Sequence, residues 1–276
     1  MRRTAPAPLA LALALTALTG LTAAGCAPDP GGSGGARGAS EKPAADDSPA
    51  AKALRNAVEA TRGTSVKINE TIIFQDEGKK ILLTMNGPFD LARDRGNLVV
   101  QKSGPNPIER LDQVFAGDKV YLGTGKDRWL VTTRSKAESH YFLRAPVNDP
   151  QHLLDQIAAT SKVKKASPDP VYGINATHYR GVLDHRALTV RMAAKSRDDI
   201  DALHLAEEDP DQPVSVDAYM KEGRLVLARL SYRNGGRSVH VNFALSDFGA
   251  PVTAPVPPSA TPSAPPSTGA MVVMTG

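Results

Sequence analysis

The thiol of Cys26 is the side chain in this 276-residue sequence best placed for covalent chemistry, and it belongs to the only cysteine. With no second cysteine, the chain cannot form an internal disulfide or a metal centre built from cysteines. Two arginines at positions 2 and 3 precede a short apolar run at 9–21, and small residues at 23–25 lead into the cysteine. This order of positive charge, apolar run and small residues is typical of an export signal that is removed before Cys26.

The residues around Cys26 resemble the lipobox of bacterial lipoproteins. Positions 21–26 read LTAAGC, with Ala23 where that motif usually has leucine. In such proteins the thiol receives a diacylglycerol, with acyl chains such as palmitate, and the cysteine becomes the new N-terminus. The resemblance implies a lipoprotein signal peptide at 1–25 and a lipid anchor at Cys26. It places the mature protein on the extracytoplasmic face of the cell membrane without crossing it. The alternative interpretation is an ordinary secreted protein with an unrelated cysteine.

Motifs for catalysis, cofactors and metals are missing from the sequence. It has no H-E-x-x-H pair, and its one G-x-S-x-G match, GGSGG at 31–35, is interpreted as a linker because no strand precedes it. An acidic run at 198–211 could bind calcium weakly, but it lacks the Asp-x-Asp-x-Asp-Gly pattern, so a charged helix surface is favoured. The histidines have no ligand spacing and are interpreted as solvent-facing or hydrogen-bonded: His140, His152, His178, His185, His204 and His240. We therefore predict that the protein is no enzyme and has no catalytic, cofactor-binding or metal-binding residues.

Composition divides the chain into one domain with a low-complexity segment at each end. Residues 26–48 are rich in Gly, Ala, Ser and Pro, which predicts a disordered tether behind the lipidated cysteine. Residues 251–276 are rich in Pro, Ser and Thr, which predicts an extended, disordered tail. Residues 49–250 are long enough for one domain with a sizeable core. The net charge of +4 is spread among acidic residues, which argues against a nucleic-acid partner.

Hydrophobic periodicity predicts an α+β domain made of short strands and few helices. Helices are predicted at 50–61, 149–165 and 196–208, the first begun by Ser48 and Pro49 and ended by Gly63. Strands are predicted at 65–74, 81–91, 98–102, 108–115, 119–122, 128–133, 171–183, 187–192, 214–221, 225–233 and 239–243. Tight turns between them favour an antiparallel meander of roughly ten strands, which must curl because sheets twist. The expected architecture is a half-barrel sheet covered by the helices around an apolar cavity.

Alternating apolar residues are the candidates for the lining of that cavity. They are Leu83, Met85, Leu98, Val100, Val120, Leu122, Leu188, Val190, Val216, Leu227, Val241 and Phe243. For any one of them, ordinary core packing is the competing interpretation. Only about 5% of the residues are aromatic, so a wide curled sheet over few helices is expected to leave its interior unfilled. Such a pocket suits acyl chains.

The order of lipobox, tether, Ala-rich helix and curled sheet resembles the actinobacterial LppX/LprG lipoproteins. These share a fold with the lipoprotein carrier LolA and with LolB. Two segments carry the resemblance, ATHYRGV at 176–182 and LSDFGAPV at 245–252. It implies a LolA-like half-barrel that binds an apolar lipid, with no catalytic motif.

The resulting hypothesis is a membrane-anchored lipoprotein that binds or carries an apolar lipid or glycolipid of the cell envelope. We expect a monomer, with a membrane transporter as a candidate partner. The alternative hypothesis is a non-enzymatic envelope lipoprotein that binds a protein partner or modulates a sensor.

Overall fold

The fold can be described over seven segments of the chain. In the computed structural model these are residues 46–76, 78–103, 109–123, 128–134, 149–167, 175–184 and 212–262. All of them belong to one unit of the chain, Pro43–Gly276. Cys26, the signal sequence, most of the tether, the strand predicted at 187–192 and the helix predicted at 196–208 lie outside the described residues.

A single sheet of twelve strands forms the framework of the described residues. The strands are β1 (Ser65–Asp76), β2 (Lys79–Asp90), β3 (Arg95–Ser103), β4 (Glu109–Ala116), β5 (Lys119–Gly123), β6 (Trp129–Thr133), β7 (Ser161–Lys165), β8 (Thr177–Leu183), β9 (Val214–Lys221), β10 (Arg224–Asn234), β11 (Arg237–Ser246) and β12 (Thr261–Pro262). Their order is β12-β6-β5-β4-β3-β2-β1-β11-β10-β9-β8-β7, so the sheet is open, with β12 and β7 at its edges. Neighbours are antiparallel except for β12, which pairs with β6 in parallel. The predicted fold class, a curled antiparallel sheet with a few helices, is confirmed.

Helix α1 (Pro49–Arg62) begins and ends where the sequence predicts. The Ser48 hydroxyl accepts a hydrogen bond from the backbone N–H of Ala51 at 3.2 Å, which satisfies a donor that the first helical turn leaves free. Pro49 takes the first helical position and Gly63 follows the last. The buried side of the helix packs on β7, β9 and β10 and consists of Ala51, Leu54, Ala57, Val58 and Thr61. We call the side of the sheet that carries α1 the inner face.

Helix α2 (Pro150–Ala158) is shorter than the predicted helix at 149–165, so that prediction is wrong for its second half. The Asp149 carboxylate caps its start by accepting hydrogen bonds from two backbone N–H groups. The hydroxyl of Thr160 donates to the carbonyl of Ile157 at 2.7 Å, where the helix has ended. The three lysines that resemble a basic helix end instead lie in the edge strand β7. Its Val163 is buried between the exposed Lys162 and Lys164, and Lys165 is exposed as well.

Asp46, at the end of the predicted tether, is tied to this edge strand. Its carboxylate accepts hydrogen bonds from the backbone N–H groups of Ser48 and Val163, at 3.0 and 2.9 Å. These bonds hold the pKa of Asp46 below its ordinary value. Its carbonyl accepts a hydrogen bond from Arg55 of α1 at 2.7 Å. Asp46 therefore joins α1 to β7.

Two local irregularities shape the sheet. At Gly87 of β2, a Cβ atom would lie 1.9 Å from the carbonyl oxygen of Asn97 on β3, so only glycine permits this close approach of the strands. In β10 the register shifts between Leu225 and Leu227, which marks a β-bulge. Because side chains alternate between faces, one extra residue reverses the side on which the next residues lie.

The first part of the predicted tail returns to the sheet. Residues 251–262 are mostly exposed, and residues 263–276 lie outside the described part. Thr261 and Pro262 pair with Leu130 and Val131 of β6, which was not predicted.

Candidate functional site

The inner face is the candidate site because it collects most of the predicted lining residues. Nine of them belong to one core cluster or pack against it: Leu83, Met85, Leu98, Val100, Val120, Leu122, Val216, Val241 and Phe243. Leu188 and Val190 lie outside the described residues. That these nine residues line a cavity stays a prediction.

Leu227 is on the other side of the sheet, so its predicted inward orientation is wrong. It pairs with Ala244, while the next residue, Ala228, pairs with Phe243 of the core. Leu227 packs in a separate cluster with Tyr219. The bulge in β10 is the physical reason, because it interrupts the alternation that the sequence pattern assumes.

One end of the inner face is closed by aromatic rings and a buried ion pair. Phe89 and Phe115 meet edge to face with ring centroids 5.3 Å apart. The guanidinium of Arg134 lies 5.9 and 5.2 Å from those two centroids. It also binds both carboxylate oxygens of Asp149, at 2.8 and 2.6 Å. Burial alone would lower the pKa of Arg134, but the ion pairs with Asp149 and Asp94 outweigh it and raise the pKa above its ordinary value. The arginine therefore stays charged while it closes this end.

The opposite end of the same strands is less covered. Along β2 the exposed fraction rises from 0% at Phe89 through 1% at Met85 to 8% at Leu83. The inner-face residues beyond them on β2 to β6 are half-buried, and they are Ile81, Lys102, Leu111, Leu122 and Leu130. The inner face is therefore apolar, closed at one end and partly open to solvent at the other.

Glu70 lies in the middle of this apolar face. It sits between Ile68 and Ile72 of β1 and pairs with Met85 of β2 and Phe243 of β11. Its side chain is only 4% exposed. Within the described residues no donor or cation contacts its carboxyl group, and burial raises its pKa to about 8. At neutral pH the group is therefore largely protonated, and it carries an O–H that can donate a hydrogen bond.

Gln113 is a second buried polar side chain on the inner face. It is 1% exposed and pairs with Leu98 of β3 and Leu122 of β5. None of the described residues donates a hydrogen bond to its amide oxygen. The sequence reasoning overlooked both Glu70 and Gln113. The signal for Glu70 was available, because it occupies an apolar position in the alternating strand VKINETIIF at 66–74.

The three described histidines are hydrogen-bonded. His152 lies 2.9 Å from the amide nitrogen of Gln156, His178 lies 2.7 Å from a carboxylate oxygen of Asp217, and His240 lies 3.1 Å from the hydroxyl of Ser231. In the described part of the chain, His, Asp and Glu residues form no group of three that could hold a metal ion. Neither α1 nor α2 has the length and apolar character needed to span a membrane.

Comparison with known proteins gives likenesses of fold. No protein-family model matches the chain, and no curated protein matches it in sequence. Among solved structures, the chain is similar to the lipoprotein LppX of Mycobacterium tuberculosis, with a TM-score of 0.46 and 16% identity over 76% of this chain and 100% of that one. It is also similar to LprF of Mycobacterium bovis, with a TM-score of 0.45 and 16% identity over 75% and 96% of the two chains. A LolA superfamily protein of Nitrosomonas europaea has a TM-score of 0.33 and 10% identity over 74% and 94%. These are the kinds of protein that the sequence resembles.

Proposed function

We propose that this protein is a lipid-anchored lipoprotein of the cell envelope whose inner face binds or carries an apolar lipid or glycolipid. The observation that carries the proposal is the inner face itself, which is apolar, closed at the Phe89 end and less covered at the Leu122 end. An acyl chain can enter such a face from one end and exchange water for apolar contacts. The sequence around Cys26 supports the location, because a lipidated cysteine would hold the domain beside the membrane that supplies the lipid.

Uptake of an apolar fluorescent probe tests the proposal. The mature chain with Cys26→Ala, which has no acyl chains of its own, is titrated with dodecyl-pyrene. We expect saturable binding, and a stabilisation of about 2.7 kcal/mol at one hundred times the dissociation constant. Leu122→Trp places a bulky ring at the less covered end and should weaken binding several-fold.

A neighbouring substitution on the same strand is the control. Tyr121 is also half-buried, but it lies on the outer face, so Tyr121→Trp should bind the probe as the parent protein does. Circular dichroism checks that both variants are folded. If the parent protein takes up no probe, the proposal fails and the alternative of a protein-binding lipoprotein replaces it.

A further inference from the structure

Two polar side chains interrupt the inner face, and each has a polar atom to which no described residue is hydrogen-bonded. A buried polar group without a partner is unfavourable, and most buried polar groups in proteins are paired. The Glu70 side chain is only 4% exposed, and no described residue hydrogen-bonds its carboxyl group. The amide oxygen of Gln113, on the same face, also has no partner in the described part of the chain. A ligand that enters from outside the chain could supply these missing hydrogen bonds.

We infer that Glu70 and Gln113 hydrogen-bond the ester groups of an uncharged acyl ester bound on the inner face. The inference rests on the proposed function and names the ligand class within it. The protonated carboxyl of Glu70 can donate its O–H to an ester carbonyl, while the acyl chain lies on the apolar residues around it. Gln113 offers a second polar contact three strands away, about 14 Å across the strands.

The surroundings of Glu70 disfavour a charged ligand. Its nearest inner-face neighbours are Ile68, Ile72, Met85 and Phe243, which provide no cation and no donor. A free fatty acid would have to bring its carboxylate into these surroundings with no cation beside it, which costs far more than burying an ester. A plain hydrocarbon would leave Glu70 unsatisfied. An ester avoids both costs.

A pair of matched probes tests the inference. Dodecyl-pyrene and a pyrene-labelled fatty acid methyl ester of equal length differ only in the ester group. With the mature Cys26→Ala chain as the parent, we expect the ester to bind about tenfold more tightly, the factor of one net hydrogen bond. Glu70→Leu should bring the ratio of the two dissociation constants close to one. Glu70→Gln should keep a preference, because its amide still donates.

Because the ratio of the two dissociation constants is measured within each variant, a general loss of affinity cancels. Gln113→Leu should leave this ratio nearly unchanged, because the single ester of the probe cannot reach Gln113 while it binds Glu70. Glu222→Gln is the control, because the Glu222 side chain is 82% exposed at a turn, and it should keep the parent ratio. Equal affinity for both probes in the parent, or an unchanged ratio in Glu70→Leu, overturns the inference but leaves the proposed function standing. If neither probe binds, both fail.

Discussion

The buried carboxyl group of Glu70 makes the stability of the domain depend on pH. Its pKa is about 8 in the folded protein and has an ordinary value of 4.5, which applies to the unfolded chain. Between these values the folded state holds a proton that the unfolded state releases. The contribution of Glu70 to the free energy of unfolding is therefore complete below pH 4.5 and declines until about pH 8. We predict that the free energy of unfolding falls over this window by up to about 1.4 kcal/mol per pH unit relative to Glu70→Gln.

Urea denaturation at several pH values measures this slope. The difference between the parent protein and Glu70→Gln removes the contributions of other titrating groups, including Lys102, which lies on the same face two strands away. Parallel curves for the two proteins would show that the carboxyl group is not held neutral by burial.

At the scale of single residues, sequence reasoning identified burial better than orientation. Alternation along β11 correctly placed Val239, Val241 and Phe243 on one buried face. The same rule failed for Leu227, because a bulge has no signature in the order of apolar and polar residues. It passed over Glu70 because charged residues are rarely fully buried.

Gly87 is the position where one element constrains another most tightly. A side chain there would collide with the backbone of β3, which cannot turn aside as a flexible side chain would. We predict that Gly87→Ala lowers the free energy of unfolding by about 1–3 kcal/mol, the usual cost of overpacking. Gly236→Ala is the matched control, because its Cβ would meet nothing within 4 Å. Thermal melting should show a clear loss for the first variant and almost none for the second, and equal melting temperatures would contradict the prediction.

Most elements were predicted because their signals are local. The start of α1 was readable from its cap, and β9 at 214–221 was predicted with its observed bounds. Strand β7 was mistaken for helix because three lysines after an apolar helix are typical of a helix end. The pairing of β12 with β6 depends on residues more than a hundred positions apart, so no local pattern could reveal it.

At the scale of the whole molecule, Cys26 is predicted to decide where the protein resides. Cys26→Ala removes the thiol that would carry the acyl chains, so the variant should leave the membrane fraction or remain unprocessed. Ala23→Leu, which installs the residue usual in the motif, should keep the protein on the membrane. Fractionation after a high-salt wash measures both. Equal retention of Cys26→Ala and the parent would refute the lipid anchor.

Both edges of the sheet are poorly suited to pairing with another chain. Strand β7 carries Lys162, Lys164 and Lys165, and β12 is two residues long and ends in Pro262. Charges and proline at sheet edges discourage association between molecules. Among the described residues, neither edge offers a long strand to a second copy, and the monomer stays a prediction.

If the chain is held at Cys26, the hydrogen bonds of Asp46 would bear part of any pull on the domain. Along the chain, a pull from Cys26 would reach Asp46 before α1, and Asp46 is bonded to α1 through Arg55 and to β7 through Val163. Val163 is 117 positions away in sequence, so the load would be shared by two distant parts of the chain. These bonds would oppose unwinding of the first turn of α1 under tension. The helix would then keep the inner face covered.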